Sequence, residues 1–380
     1  MATRRSATAH PRMLVLARES RGWKQGDVAK AMKELDDEPD SKVSQAYVSR
    51  AESGKLAVSG DRLELYASAL GYPSELLTLD ESEIGAGAGL IHHRKKQAVA
   101  APELRRIHAV LNLTRVQLRS LLDDAPRAVE AKIPQVMVDD FTSPEEAADA
   151  VRAEWGIARG PVDSVLAALE AAGGLVMTRS LVPPSPLDSG NESVPVDAVS
   201  SCTPGEDPIV LLNAGTPGDR QRFTLAHELG HMVMHTVPHP DQEKQANRFA
   251  AQLLMPARDI RASFQGAVDL TLLLALKKQW RVSMWALLRR AHTLDEISDW
   301  QYRTLAVEMT SLGYRTTEPN PLDREQPVAV RAAVDWRLDH GSDINSLART
   351  ALLRPEEFTR LYLDSTPGRP ISTLTAEVRT

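Results

Sequence analysis

Residues 220–235, RQRFTLAHELGHMVMH, and residues 243–256, EKQANRFAAQLLMP, organise the rest of the chain. His227 and His231 stand four residues apart, with Glu228 between them. On an α-helix such positions share one face, about 6 Å apart along the axis. Two imidazoles placed this way can close on one Zn²⁺ at roughly 2.0–2.1 Å each. Glu228 cannot reach the same ion from that turn, but it can reach a water beside it, which is the place of a general base. Phe223, Leu225, Ala226, Leu229, Met232 and Val233 make the helix apolar, and unpartnered polar groups are costly in such surroundings. In the second stretch Ala246, Phe249, Ala250, Leu253 and Leu254 recur at helical spacing after Glu243. A carboxylate on a second, facing helix supplies a third ligand and leaves a fourth position for water.

The pattern R-x-R-F-T-L-A-H-E-L-G-H-x-x-x-H followed by E-x-x-A-N-x-F-A-x-x-L-L-M-P resembles the ImmA/IrrE family of zinc metallopeptidases. The resemblance implies that His227, His231 and Glu243 hold the metal and that Glu228 is catalytic. Asn247 stands where related zinc peptidases often keep a carboxylate that orients a ligand histidine. An amide oxygen accepts the imidazole N–H there less strongly than a carboxylate. His235, one turn beyond His231, lines the cleft or packs there. Peptide hydrolysis also needs a group to steady the carbonyl oxygen. No Tyr lies between Tyr72 and Tyr302, so His235 and Arg222 are the alternatives.

The chain has 380 residues, a net charge of −6 and one cysteine, Cys202. The length suggests two or three domains. The charge gives no global basic field for nucleic acid, and a lone cysteine excludes an internal disulfide and fits a reducing compartment. The N-terminus has no apolar signal segment and no apolar run is long enough to span a bilayer, so a cytoplasmic protein without membrane contact is expected.

Basic residues do concentrate at the start: Arg4, Arg5, Arg12, Arg18, Arg21, Lys24, Lys30 and Lys33 against Glu19 and Asp27. The segments MLVLARESRG, KQGDVAKAM, SQAYVSRAESG and DRLELYASALGYP read as helices punctuated by Gly22, Gly54, Gly71 and Pro73. Together they resemble the XRE-type helix-turn-helix domain over roughly residues 11 to 77. In that fold the helix from Gln45 enters the major groove of double-stranded DNA. Gln45 then suits adenine and Arg50 guanine. Tyr47 and Ser49 are further contacts, and Gln25 a phosphate contact. Arg18 and Glu52 pair internally, and Val48 belongs to the core. The segment KELDDEPDSK lengthens the turn before the recognition helix with Glu34, Asp36, Asp37, Glu38 and Asp40, which phosphates repel.

The expected fold class is α+β and mostly helical. Residues 1–80 form a five-helix DNA-binding domain, and 81–140 a connector with a long helix over Pro102 to Asp123. Residues 141–258 form a zincin-like metallopeptidase domain with a small β-sheet, and 259–380 a C-terminal helical region. The connector's IGAGAGL reads as flexible and its HHRKK as a solvated or DNA-facing cluster. Its helix packs on the enzyme or forms a dimer seam, since XRE-type domains usually bind as dimers. LVMTR, VDAVSSCT and PIVLLN read as strands around a Pro/Ser/Gly-rich mobile loop. Val196 to Thr203 is the edge that would hold substrate by β-augmentation, and Cys202 packs. Helices over Leu270–Ala291 expose Lys277, Lys278, Arg281, Arg289 and Arg290 on a solvated face.

These features point to a DNA-binding, zinc-dependent endopeptidase in gene regulation or stress and phage-type repressor control. The family resemblance implies helix-turn-helix repressors as protein substrates. The alternatives are a transcription factor whose zinc domain senses a ligand without cutting, and an antitoxin-like protein-binding regulator.

Overall fold

The computed structural model describes residues 7–36, 42–80, 91–95, 99–123, 125, 132–181, 196–202 and 205–364. Arg4, Arg5, Asp37, Glu38, Asp40, the IGAGAGL stretch, Thr203 and the Pro/Ser/Gly-rich loop from residue 182 lie outside them.

Five helices open the chain: α1 (Pro11–Ser20), α2 (Gln25–Leu35), α3 (Gln45–Glu52), α4 (Asp61–Leu70) and α5 (Ser74–Leu77). Their ends follow local chemistry. Ser44 caps α3 by accepting the Tyr47 N–H at 3.2 Å. Gly71 adopts φ 72° at the end of α4, a left-handed turn that glycine enters without steric cost. Arg18 holds Glu52 through Nε–Oε1 at 2.6 Å and Nη2–Oε2 at 3.1 Å, the expected internal pair. Val48 is fully buried.

Strand β1 (Ile91–Lys95) and helix α6 (Ala101–Leu122) follow, then α7 (Pro144–Glu154) and α8 (Val165–Ala171). Ser143 and Glu146 form a reciprocal cap at the start of α7. Strands β2 (Leu175–Arg179), β3 (Val196–Ser201) and β4 (Ile209–Asn213) complete one four-stranded sheet in the order β1-β3-β4-β2. β2 and β4 are parallel, and β3 is antiparallel to both β4 and β1.

Two expectations are corrected here. β3 is an interior strand, because β1 covers the side that the sequence left open. The His92–His93 stretch, expected in a linker, is therefore part of a sheet. Of the two alternatives for α6, packing within the chain is the one seen: it lies on α1, β3 and the later helices, with most of its apolar side chains buried.

Helices α9 (Gly218–Met234) and α10 (Gln242–Leu254) carry the two opening stretches. Behind them come α11 (Ala257–Ile260), α12 (Leu270–Trp280), α13 (Met284–Thr293), α14 (Asp299–Ser311), α15 (Ala329–Asp339), α16 (Ile344–Thr350) and α17 (Pro355–Phe358). Alternate residues of the sheet face opposite ways, and each face builds one core. Met177, Val199, Ile209 and Leu211 join the five N-terminal helices, α6 and residues 330–362. Val176, Ala198, Val210 and Leu212 join α7–α10 and the helices up to α14. The two cores cut across the four sequence blocks: the first half of the C-terminal region packs with α9, the second half with the N-terminal helices.

Charge placement in α12 and α13 also departs from expectation. Lys277 is buried, with Nζ 2.8 Å from Asp219 and 2.9 Å from Glu318. Arg290 is buried too, donating to the Met255 carbonyl at 2.9 Å and to Gln252. Lys278, Arg281 and Arg289 are exposed as expected. A buried charge persists only when paired and hydrogen-bonded, and here the partners come from distant segments.

Candidate metal centre and nucleic-acid interface

α9 runs beneath β3 and β1, and α10 lies along it. The close approach of the two helices depends on Gly230. A Cβ there would stand 3.0 Å from the Phe249 ring and 3.3 Å from the Ala246 backbone. The glycine inside HELGH thus lets α10 come near enough for Glu243 to face the two histidines.

The three expected ligands converge. His227 Nε2 and His231 Nε2 are 3.1 Å apart. Glu243 places Oε2 3.4 Å from His227 Nε2 and Oε1 3.3 Å from His231 Nε2. Donors about 2.0–2.1 Å from a common tetrahedral centre stand roughly 3.3 Å from one another, so the spacing fits one ion. Both histidines are buried, whereas Glu243 is about half exposed at 53%.

A hydrogen-bond network fixes which nitrogen of each ring faces inward. Asn247 Oδ1 lies 3.2 Å from His227 Nδ1, and the Asn247 amide donates to the Glu243 carbonyl at 2.7 Å. Asn247 Oδ1 therefore accepts the Nδ1–H and leaves His227 Nε2 with its lone pair free for a cation. His235 Nε2 donates to Gln245 Oε1 at 2.8 Å, so its Nδ1 accepts from His231 Nδ1 at 3.0 Å. His231 Nε2 is then also a lone-pair donor. Two lone pairs and a carboxylate turned on one point repel each other without a cation, and this donor set suits Zn²⁺. Burial chiefly holds the His235 pKa below its ordinary value. The bond to Gln245 opposes that effect and the neighbouring His231 reinforces it.

Glu228 is fully buried, and its Oε2 accepts the Ser200 hydroxyl at 2.5 Å. Ser200 belongs to the β3 face that meets α9. The sequence reading missed Ser200 and Gln245. Gln245 carries a usable signal, a polar residue two positions after Glu243 on the same helix, whereas Ser200 is a short polar residue in a strand and carries none.

Neither alternative for steadying the carbonyl oxygen fits. Arg222 is buried away from the cluster, bonded to Glu325 and to the carbonyls of Asp163 and Val162. His235 is turned to His231 and Gln245. Cys202 is half-buried, and burial pushes its thiol pKa up, against a reactive role.

The residues expected at DNA lie at the other end of the chain. On α3, Gln45, Ser49 and Arg50 are exposed and Tyr47 is half-buried. Among the described residues Arg50 donates to the Ala46 carbonyl of its own helix, at 3.3 Å. Gln25 instead gives its amide to Glu52 at 2.9 Å, beside Arg18. In the acidic insertion, Asp36 pairs with Arg62 of α4 at 2.6 Å, which ties the start of that segment to the domain.

No helix among the described residues is long and apolar enough to cross a membrane. A search of curated proteins finds no match. Residues 14–77 match the family model described as helix-turn-helix, and residues 191–292 match a peptidase-family model described as IrrE N-terminal-like domain. The second match ends within α13, whereas the core beneath the sheet continues to α14. These two matches in one chain support a DNA-binding regulator that carries an ImmA/IrrE-like peptidase-family domain.

Proposed function

We propose that the chain is a zinc-dependent endopeptidase that binds DNA and controls transcription by cutting a protein partner, with a helix-turn-helix repressor as the substrate class. The observation that carries this reading is the convergence of His227, His231 and Glu243 beside a buried Glu228. A zinc ion held by those three would act as a Lewis acid on a peptide carbonyl and make water acidic near neutral pH. Glu228 takes the proton of the attacking water and passes it to the leaving amine. Ser200 holds the Glu228 carboxylate in one orientation by donating to Oε2. Asn247, His235 and Gln245 keep the two imidazoles in the tautomer that binds a cation. On the DNA side, Gln45, Ser49 and Arg50 read base edges from α3, with Tyr47 at their border. Gln25 meets a phosphate only through its backbone N–H, since its side chain serves Glu52.

The test is direct. Zinc-loaded protein is incubated with a repressor encoded beside it, and new termini are mapped by mass spectrometry. One or a few defined cuts that vanish in Glu228→Gln support the reading. Cuts that persist in Glu228→Gln would refute the mechanism.

A further inference from the structure

The place where an extended substrate would lie is taken by the chain itself. β3 passes over α9 and bonds Glu228 through Ser200. Its other neighbour is β1, antiparallel, with Ile91 opposite Ser201, His92 opposite Ser200 and His93 opposite Val199. The residue paired with Ser200 is thus His92, so the β1 backbone runs beside the buried general base. α9 touches β1 as well as β3. Among the described residues β1 has no second strand partner. It comes from neither flanking core helix but from the segment between the N-terminal helices and α6.

We infer that residues 91–95 occupy the peptide-binding edge of β3 as an internal competitor, and that an extended protein segment enters the site by displacing them. This inference rests on the endopeptidase reading above and names the device that regulates it. Two observations favour displacement over a permanent sheet member. The pairing is irregular, with a register shift between His93 and Lys95, where the other pairings of the sheet run without a break. A strand that is tethered at both ends presents itself at an effective concentration on the order of millimolar, so it excludes micromolar peptides without tight contacts. Its tether joins α5 of the DNA-binding domain to α6, which packs on α1. The binding state of that domain and the occupancy of the edge therefore share one segment.

The experiment uses the full-length, zinc-loaded chain in a Glu228→Gln background, so that nothing is cut. A fluorescein-labelled peptide of residues 89–97, GLIHHRKKQ, is titrated by anisotropy against this parent and against the same chain with His92→Pro and His93→Pro. Successive N–H groups of a strand point to opposite sides, so one of the two prolines removes a bond to β3. The double-proline chain should bind the peptide at least tenfold more tightly than the parent. A peptide of equal charge with proline at its two central positions should bind neither. Amide exchange over residues 198–201 should quicken in the double-proline chain and slow again with peptide, while β4 and β2 stay protected. Equal binding to both chains, or unchanged exchange over 198–201, would overturn the inference. A second arm needs no strand variant. Peptide raised to millimolar against the parent should quicken exchange of residues 91–95, and unaltered exchange there overturns the inference even where the proline chain misfolds. Neither readout needs cleavage, so a chain that exchanges strands yet cuts nothing removes the endopeptidase reading alone.

Discussion

The candidate metal centre and the proposed recognition helix are both short motifs on helices, yet the molecule treats them in opposite ways. On α9 and α10 every functional side chain is already engaged: His227 with Asn247, His231 with His235, Glu228 with Ser200. On α3 the side chains that face outward, Gln45 and Ser49, are exposed, and Arg50 bonds the backbone of its own helix. Hydrolysis requires charge and dipoles fixed before the substrate arrives, since reorganisation would add to the barrier. Base reading tolerates side chains that settle on contact, because the partner supplies the missing hydrogen bonds. The contrast leads to distinct expectations for substitutions at the two ends.

The largest effect is expected at Glu228. Glu228→Gln keeps the volume and the Ser200 contact but removes the proton acceptor. Cleavage should fall by about 10²- to 10⁴-fold, the usual worth of a positioned base, with one zinc per chain retained by elemental analysis. A loss of zinc together with activity would instead place Glu228 in the metal-holding set and blur the contrast.

Next comes the support of the ligands. Asn247→Ala leaves His227 without its Nδ1 partner, and zinc affinity should drop by about 10- to 100-fold in a chelator competition. Asn247→Asp should bind zinc at least as tightly as the native chain, because a carboxylate is the stronger acceptor. Unchanged affinity in Asn247→Ala would mean that the network is ornamental and that the metal centre is as loosely organised as α3.

How far each region could be read from sequence follows the same division. The HELGH spacing and Glu243 announce the cluster because a helix converts i, i+4 spacing directly into proximity. Four of the five N-terminal helices were legible through their glycine and serine punctuation, the fifth only through the resemblance, and α6 was legible through its apolar period. β1 was not. IHHRK has no alternation of apolar residues, and its pairing with β3 is a long-range choice that no local pattern encodes. The burial of Lys277 was hidden for a similar reason, since its partners Asp219 and Glu318 stand 58 and 41 residues away. Arg222 looked like a cleft residue by its nearness to His227 in sequence, but helical phase turns it to Glu325 and the opposite side.

At the DNA end the expected effect is smaller and selective. Arg50→Ala should weaken binding to the cognate site by about 1–3 kcal/mol and relax the preference at one base, as measured by competition against single-base variants. Zinc content should not move. Equal weakening on all sequences would make Arg50 a phosphate contact instead.

The smallest expected effect tests whether the two regions are separate at all. Arg21, just after α1, forks onto Glu357 of α17, with Nη1–Oε1 at 2.9 Å and Nη2–Oε2 at 3.0 Å, and its guanidinium stacks 4.0 Å from the Tyr72 ring. Burial opposes the charge of Arg21, while the bond and charge of Glu357, with Tyr72 between, favour it and raise its pKa overall. The pair fastens the N-terminal helices to the residues that cover the sheet face opposite α9. Removing either partner strands the other partly buried charge. A double-mutant cycle over Arg21→Ala and Glu357→Ala, read by urea unfolding, should therefore return a coupling of about 1 kcal/mol. If the coupling is real, both halves unfold in one transition and the DNA-reading end is mechanically continuous with the sheet. A coupling near zero, with the N-terminal helices melting first, would make the recognition helix an independent module, and its loose organisation would then carry no message to the metal centre.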